Sequence, residues 1–235
     1  MNYKYAKDDN YEDFSSGRVL YHLGGEPTFP VRLSLEIYER CLHYSKKKTD
    51  ITLYDCCCGG AYMLTILGLL KRSTISTIYG SDINQSSLQL AKDNLSLLTK
   101  SGMNKRRGEI EELFHKYSKP SHQEALYSIN RLETLLKDDI KTFVFNQSIL
   151  ESCELPFHPD IIITDVPYGN LVEWGEGNGG INQMMCVLSE FCNSETIICI
   201  CMDKKQKIQT DLFDRLERQL IGKRKFEIYR KKYSF

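Results

Sequence analysis

The first segment that could do chemistry is an acidic residue followed by cysteines and two glycines. Asp55 ends a short apolar run, and Gly59 and Gly60 precede another apolar stretch. Glycines let the main chain approach a ligand closely, because no Cβ atom stands in the way. Free N–H groups at the start of the following helix would favour a carboxylate or a phosphate. No Lys-Ser/Thr pair follows, so this is not a P-loop, and the alternative is a turn that binds nothing.

A second acidic residue, Asp82, closes the next apolar run, 23 positions after Gly59. An acid near this offset can accept hydrogen bonds from ribose hydroxyls. Asp55, Gly59 and Asp82 together predict a nucleoside pocket beside a carboxylate pocket, and S-adenosylmethionine (SAM) has both parts. A single acid at a strand end is more often only part of a turn, so the prediction depends on the combination.

The third segment is Asp165-Val166-Pro167-Tyr168, which follows a continuously apolar run. Proline fixes φ and removes a donor, so carbonyl groups here can face a ligand. Tyr168 offers a flat surface on which a base can stack. Asp165 can accept a proton or a hydrogen bond from a base nitrogen. The alternative is a Pro-Tyr-Gly turn that only caps a buried strand.

Apolar runs and helical periodicity alternate along the chain, and this alternation predicts how the three segments are positioned. Strands that alternate with helices form a parallel sheet with helices on both faces. Ligands bind beyond the carboxyl ends of such strands, where Asp55, Asp82, Ser148 and Asp165 all fall. The predicted strands are 51–54, 75–79, 142–145, 160–164 and 195–202, and the predicted helices are 31–44, 63–70, 85–98 and 181–192.

The two ends of the chain lie outside this alternation. Residues up to Thr28 are polar and predict irregular structure with one short strand. Residues 216–231 predict a β-hairpin that turns near Gly222. We expect one domain over 1–235, in which 1–48 form an N-terminal extension with its helix.

An insertion interrupts the alternation between about residues 100 and 140. Its pattern predicts two charged helices that are broken at Lys119-Pro120. Ser121 has the side chain of an N-cap, so we expect the second helix to begin after it.

Composition excludes several classes of protein. Hydrophobic residues make up 41% of the chain and charged residues 26%, as in folded globular proteins and unlike disordered ones. No apolar run approaches the roughly 20 residues of a transmembrane helix, and we expect no membrane association. The first residues lack the apolar core of a signal peptide, so we expect a cytoplasmic protein.

The nine cysteines are interpreted as structural thiols. Three are consecutive, at 56–58, and Cys199 and Cys201 alternate along an apolar run. Neither arrangement has the paired spacing of a zinc site. Most of them lie in apolar stretches, where free cysteine behaves as a small hydrophobe. We therefore expect neither a bound metal nor a disulfide framework.

Positive charges concentrate near the C-terminus although the formal net charge is zero. A basic stripe of this kind is typical of a surface that binds nucleic acid. The alternative is an ordinary solvated face. The stripe consists of Lys223, Arg224, Lys225, Arg230, Lys231 and Lys232, with Glu227 as its one acid.

Several segments together resemble a known family. Residues 55–70 (DCCCGGAYMLTILGLL) are similar to motif I of class I SAM-dependent methyltransferases, and 165–168 (DVPY) to the D/N-P-P-Y motif of enzymes that methylate base nitrogens. More narrowly, the chain resembles the AviRa family of avilamycin-resistance ribosomal RNA guanine methyltransferases. The other similar segments, in the same order, are GRVLYH (17–22), FPVRLSLEI (29–37), SKPSHQEA (118–125), TDVPYG (164–169), Trp174 and LIGKR (220–224).

The resemblance implies a doubly wound α/β fold, with a mostly parallel, seven-stranded Rossmann-like sheet and an inserted helical pair. It also implies SAM as the methyl donor and a guanine of large-subunit ribosomal RNA as the acceptor, with Asp165 and Tyr168 as catalytic residues. The implied cofactor residues are Asp55, Cys57, Gly59, Gly60, Asp82, Ile83, Ser148, Asp165 and Pro167. The implied RNA contacts are Arg32, Tyr168, Trp174, Lys223, Arg224 and Lys225.

Two positions depart from the family pattern. The third small residue of motif I, usually glycine, is Ala61, and the acid that usually contacts the adenine amine is replaced by Ser148. Both changes bear on SAM affinity.

The predicted reaction is attack of a base nitrogen on the SAM methyl group, with Asp165 orienting the nitrogen and Tyr168 and Trp174 stacking on the base. The inserted helices and the basic C-terminal residues would contact RNA phosphates. Two alternatives remain open at this point. One is a methyltransferase of another RNA base, DNA or a small molecule. The other is an assembly factor that binds SAM and RNA without methylating.

Overall fold

The structure is a computed structural model that describes residues 1–22, 28–137, 139–152, 154–166 and 179–232. Strands and helices alternate through most of it. The strands are β1 (Ile51–Asp55), β2 (Ile75–Asp82), β3 (Lys141–Asn146), β4 (Ile161–Asp165), β5 (Ile197–Asp203), β6 (Phe213–Ile221) and β7 (Arg224–Lys231). The helices are α1 (Val31–Tyr44), α2 (Tyr62–Leu70), α3 (Gln85–Ser96), α4 (Lys100–Tyr117), α5 (Pro120–Glu133) and α6 (Gly179–Phe191).

All seven strands form one sheet in the order β3-β2-β1-β4-β5-β7-β6. The first five strands in this order are parallel, and β7 is antiparallel to both β5 and β6. The expected mostly parallel sheet and the C-terminal hairpin are therefore confirmed. The strand order reverses at β1 and β4, so the carboxyl ends of these two strands flank the crevice in which such sheets bind ligands.

The sheet is buried on both faces. Ile161 and Ile163 of β4 belong to one hydrophobic cluster, and Ile162 belongs to the cluster on the other face. The two clusters alternate in the same way along β5, because successive side chains of a strand point to opposite faces. This double burial explains why β4 is continuously apolar in sequence.

The described cysteines are free thiols, and most of them are buried. Cys199 and Cys201 lie in the same cluster as Cys41, and burial raises the pKa of both strand thiols. Among the described residues no group of metal-binding side chains is found. These thiols therefore contribute to packing as small hydrophobic side chains.

The N-terminal segment is held to α1 by one buried carboxylate. Glu36 accepts hydrogen bonds of 2.8 Å from the backbone N–H groups of Lys4, Tyr5 and Ala6. The described residues 1–22 contain a short 3₁₀ turn and no strand. The predicted short strand is therefore not found there. The Glu36 carboxylate accepts the N–H groups to which a neighbouring strand would hydrogen-bond.

The insertion forms the two predicted helices, but α5 begins before the predicted cap. Its first residue is Pro120 and its N-cap is Lys119, so the N-cap predicted at Ser121 is wrong. Proline is favoured at the first helical position because its φ is already helical and its missing N–H is not needed there. Neither α4, with its 18 residues, nor any other described helix is long and apolar enough to cross a membrane.

Candidate functional site

A pocket of about 180 Å³ lies at the carboxyl ends of β1 and β4. The glycine turn after β1 forms one wall, and α3 forms another. Residues before α1 complete it, so the N-terminal extension contributes to the site. Its walls include Tyr21, Phe29, Asp55, Gly59, Asn94 and Asp165.

The glycine turn leads from β1 to α2 and is hydrogen-bonded to the end of β2. Asp55 is buried and accepts a hydrogen bond of 3.0 Å from the N–H of Cys57. Gly59 has a φ of 50°, a left-handed conformation that glycine adopts without strain. Its N–H donates to Oδ2 of Asp82 at 2.8 Å. The predicted cofactor residues Asp55, Gly59 and Asp82 are therefore brought together.

Gly60 lies at a close approach between the turn and α3. A Cβ atom at this position would lie 2.4 Å from Cδ2 of Leu90. Such a contact is impossible without a shift of the Leu90 side chain. The predicted Gly60 thus allows the main chain of the turn to lie directly on α3.

Ala61, the first departure from the family pattern, occupies a position suited to glycine. It is the N-cap of α2 and has φ 55° and ψ 29°, in the left-handed region. An L-residue there costs roughly 1–2 kcal/mol relative to the right-handed conformation. The methyl group is buried, so the turn accommodates Ala61 with backbone strain and without exposing it.

Two acids that line the pocket, the buried Asp55 and the half-buried Asp165, have raised pKa values. Burial raises the pKa of Asp55 to about 7. Burial also raises the pKa of Asp165 to about 6, although the charge of Arg224 opposes this shift. The thiol of Cys57 beside them has a pKa well above its ordinary value, because of a hydrogen bond to Cys56 and burial. Cys57 is therefore a neutral wall residue.

Asp165 has one paired and one unpaired carboxylate oxygen. Its Oδ2 lies 3.3 Å from a guanidinium nitrogen of Arg224. Its Oδ1 is buried and has no hydrogen-bond partner within the described part of the chain. Buried acceptors are almost always satisfied. Asp165 lines the pocket, so its unsatisfied carboxylate oxygen is suited to bind a donor on a ligand.

The end of β3 places the remaining cofactor candidates near Asp82. The side-chain amide of Asn146 donates to the carbonyl groups of Asp82 and Ile83 at 2.9 and 3.1 Å. Ile83 exposes 62% of its surface, which is unusual for so apolar a residue beside polar groups. Ser148 follows β3, and its hydroxyl accepts a hydrogen bond from the N–H of Leu150 at 3.3 Å.

Asn94 is a site residue that the sequence analysis missed. It is buried, and its amide donates to the carbonyl groups of Tyr21 and Gly60 at 3.0 and 2.8 Å. Its Oδ1 accepts the N–H of Tyr21 at 2.8 Å. Asn94 thus joins the N-terminal extension to the glycine turn. The available signal was a polar residue on the apolar face of α3, next to Leu95.

Several predicted residues lie away from this pocket or outside the described part. Pro167, Tyr168 and Trp174 fall in 167–178, which is not described. Arg32 pairs with Asp8 at 3.0 Å and is not among the residues that line the pocket.

The predicted basic stripe is not a continuous surface. Lys225 is buried and donates to Glu227 at 2.7 Å, so its assignment to an exposed stripe is wrong. The reason is that alternate residues of β7 point to opposite faces of the sheet. Arg224 points to the other face, toward Asp165. Lys231 donates to the carbonyl group of Ser189 in the last turn of α6 and to that of Cys192 just after the helix. Lys223 lies in the turn and is exposed.

Comparison with known structures finds the same fold in solved methyltransferases. The rRNA methyltransferase AviRa from Streptomyces viridochromogenes superposes with a TM-score of 0.91, 29% identity, and coverage of 98% of this chain and 96% of that chain. A ribosomal protein L11 methylase from Lactobacillus delbrueckii subsp. bulgaricus has a TM-score of 0.53 at 12% identity, covering 88% of this chain and 91% of that one. The second likeness shows the fold alone.

Sequence comparison agrees with the structural one. A curated protein of Streptomyces viridochromogenes, the 23S rRNA (guanine(2535)-N(1))-methyltransferase, is 34% identical over 223 residues, covering 90% of this chain and 88% of that protein. The sequence model described as rRNA methyltransferase AviRa matches residues 1–224. The chain therefore belongs to the AviRa family of rRNA methyltransferases.

Proposed function

We propose that this protein transfers a methyl group from SAM to N1 of a guanine in large-subunit ribosomal RNA. The observation that carries the proposal is the buried, unpaired Oδ1 of Asp165 in the pocket at the end of β4. It is supported by the relative that is named as a guanine-N1 methyltransferase of 23S rRNA. Because this substrate is ribosomal, we expect the protein in the cytoplasm.

The pocket fits SAM. Asp82 offers a carboxylate for the ribose hydroxyls, and the glycine turn at the start of α2 offers N–H groups for the amino-acid carboxylate. We assign the exposed side chain of Ile83 and the hydroxyl of Ser148, which follow β2 and β3, to the adenine. When bound, SAM supplies an activated, positively charged methyl donor. The buried carboxylate of Asp55 would become ionised more readily beside that charge.

Asp165 suits the acceptor side of the reaction. N1 of a neutral guanine carries a hydrogen, which must leave when the methyl group is attached. The free Oδ1 of Asp165 accepts this proton, and a pKa of about 6 makes the carboxylate a stronger base than an ordinary aspartate while it stays ionised at neutral pH. Arg224 holds the other oxygen and favours the ionised form.

Tyr168 and Trp174 complete the proposed acceptor site. An aromatic side chain next to the acid can stack on the guanine, at about 1–3 kcal/mol per base. A paired guanine must first leave its helix, and stacking would offset part of that cost. These two roles rest on the family motif and on residue type.

The test is methyl transfer to large-subunit ribosomal RNA, with the modified base identified by mass spectrometry. We expect N1-methylguanine with the wild type and a single-turnover rate at least about 100-fold lower with Asp165→Asn. The wild-type rate should rise with pH through about 6, the pKa of Asp165. Asp214→Asn, which removes an exposed acid of β6, is the control and should keep the parental rate.

The outcomes separate the alternatives. A folded Asp165→Asn protein with a near-normal rate would remove Asp165 from the reaction. Methylation of another base, of DNA or of a small molecule would correct the acceptor. A wild type that binds SAM and RNA without transferring a methyl group would favour the assembly-factor interpretation.

A further inference from the structure

A second cleft, of about 210 Å³, lies on the sheet face opposite to Arg224. The connection after β5 forms one side of it, and the β6–β7 hairpin forms the other. A hydrogen bond of 3.0 Å from the N–H of Lys204 to the carbonyl of Lys223 joins the two sides. Five cations and one acid line the cleft: Lys204, Lys207, Arg215, Arg218, Lys225 and Glu227.

The cations are gathered around the single acid. Glu227 is buried and lies 2.7 Å from Lys225, 3.2 Å from Arg215 and 3.6 Å from Arg218. One carboxylate cannot neutralise three cations, and Lys204 adds a further charge from the opposite side. The cleft therefore keeps a net positive charge.

A β-bulge in β6 produces this arrangement. Arg215 pairs with Tyr229, Glu217 with Ile228 and Arg218 with Glu227, and the register shifts between Arg215 and Glu217. Without the shift, Arg215 and Glu217 would share a face, because the side-chain period of a strand is two. The bulge instead sends Glu217 to the other face, where it pairs with Arg40 of α1. Both arginines remain in the cleft, and a second acid is kept out of it.

The cleft lies at the same end of the sheet as the catalytic pocket. Asp165 pairs with Cys201 of β5, and the next residue, Met202, pairs with Lys225 of β7. Asp165 and Lys225 are thus two strands apart, about 10 Å at the usual strand spacing. An RNA strand that places a base against Asp165 would bring neighbouring backbone groups close to the cleft.

We propose that this cleft binds a backbone phosphate of the RNA next to the target nucleotide. The inference rests on the proposed function in assuming that RNA is the substrate. Arginine suits the site because its planar guanidinium can donate two hydrogen bonds to one phosphate. Glu227 acts as a positioning residue that orients the cations. The site replaces the continuous stripe expected from the sequence.

The test measures binding of protein-free large-subunit ribosomal RNA at several salt concentrations. In Lys204→Ala/Arg218→Ala, loss of this one phosphate contact should reduce the slope of log K against log[salt] by about 0.7–0.9. Between 50 and 200 mM salt the wild type should then lose roughly threefold more affinity than the variant.

Two control variants test whether the salt dependence is determined by charges in the cleft or by the total charge of the protein. Lys137→Ala/Lys141→Ala removes two exposed cations at and before the amino end of β3, the far end of the sheet, and should keep the parental slope. Lys204→Arg/Arg218→Lys keeps both charges in the cleft and should keep most of the slope. If the alanine double variant does not fold, Lys204→Glu alone tests the same exposed side with the opposite charge.

The outcomes distinguish this inference from the proposed function. An alanine double variant with the parental slope, in an enzyme that methylates ribosomal RNA, overturns the phosphate site and leaves the function intact. A wild type that transfers no methyl group, but whose RNA binding loses slope in the double variant, overturns the function and leaves the site intact.

Discussion

Asp165, which lines the pocket at the ends of β1 and β4, and Glu227 in the basic cleft are carboxylates at the same end of the sheet, but their pKa values move in opposite directions. Burial raises the pKa of Asp165 to about 6, and one guanidinium at 3.3 Å does not offset it. Burial would also raise the pKa of Glu227, but hydrogen bonds from Lys225 and Tyr229 lower it below the ordinary value.

The difference shows that hydrogen-bond partners decide the direction of the pKa shift, since Glu227 is the more deeply buried acid and yet has the lower pKa. Glu227 uses both oxygens within the protein and serves to position cations. Asp165 leaves one oxygen without a hydrogen-bond partner among the described residues, and the buried Asp55 accepts a backbone hydrogen bond from Cys57 without any nearby cation among the causes of its pKa shift. The pocket thus keeps acids that can still bond to a ligand, at a cost in stability that Glu227 does not incur.

The largest expected effect comes from removing the charge of Glu227. Glu227→Gln would leave Lys225 buried without a counter-charge, so the free energy of unfolding should fall by about 3–5 kcal/mol. Urea unfolding of wild type and variant measures this loss. Lys225→Met/Glu227→Gln removes both charges and should recover most of it. A loss under about 1 kcal/mol in the single variant would mean that the charge of Glu227 is not needed by its buried partner, and the contrast with Asp165 would then be wrong.

Asp55 and Glu227 should make the free energy of unfolding depend on pH in opposite directions. The folded pKa of Asp55, about 7, lies above its ordinary 3.8, so the folded state holds its proton longer than the unfolded state does. Its raised pKa contributes on the order of 4 kcal/mol to the free energy of unfolding below pH 3.8, and this contribution is lost as the pH rises through about 7. Glu227, with a lowered pKa, loses its contribution as the pH falls below its ordinary 4.5.

Unfolding curves of wild type and Asp55→Asn between pH 5 and 8 test this sign. The variant should be flatter with pH and should gain stability relative to the wild type as the pH rises. Curves that run parallel over this range would mean that Asp55 is not kept protonated by burial.

The smallest effect concerns Asp82, the half-buried acid that is hydrogen-bonded to Gly59 of the pocket wall. Asp82→Ala removes a charged acceptor, so SAM affinity measured by calorimetry should fall by about 1.5–3 kcal/mol. Asp82→Asn keeps an acceptor for the N–H of Gly59 and separates the charge from the shape of the turn. Ser148→Ala should cost less, about 0.5–1.5 kcal/mol, because the hydroxyl is neutral. Unchanged affinity in Asp82→Ala would exclude it from the cofactor site.

The sheet and the strand-end acids could be predicted because they depend on local pattern. The apolar run at 161–163 is continuous, since β4 is buried on both faces. Parallel strands also bring Asp55, Asp82 and Asp165 to one end of the sheet without any knowledge of contacts. The family motifs added the identity of the reaction.

The residues that were missed depend on partners far away in the chain. Asn94 acquires its role from Tyr21 and Gly60, which the sequence places far from it. The stripe was misjudged because the face of each β7 side chain is fixed by pairing with its neighbours. The bulge beside Arg215 depends on the same pairing, since one extra residue reverses every side chain after it.

The bulge in β6 also bears on how this protein behaves at high concentration. β6 is an edge strand, and an edge with unpaired N–H and carbonyl groups can recruit a strand from another molecule. The register shift breaks the regular spacing of those groups. A flat, apolar strand that added to this edge would also strip water from the exposed charges of Asp214, Arg215 and Arg218, which is unfavourable. The same irregularity that shapes the basic cleft therefore protects this edge against aggregation.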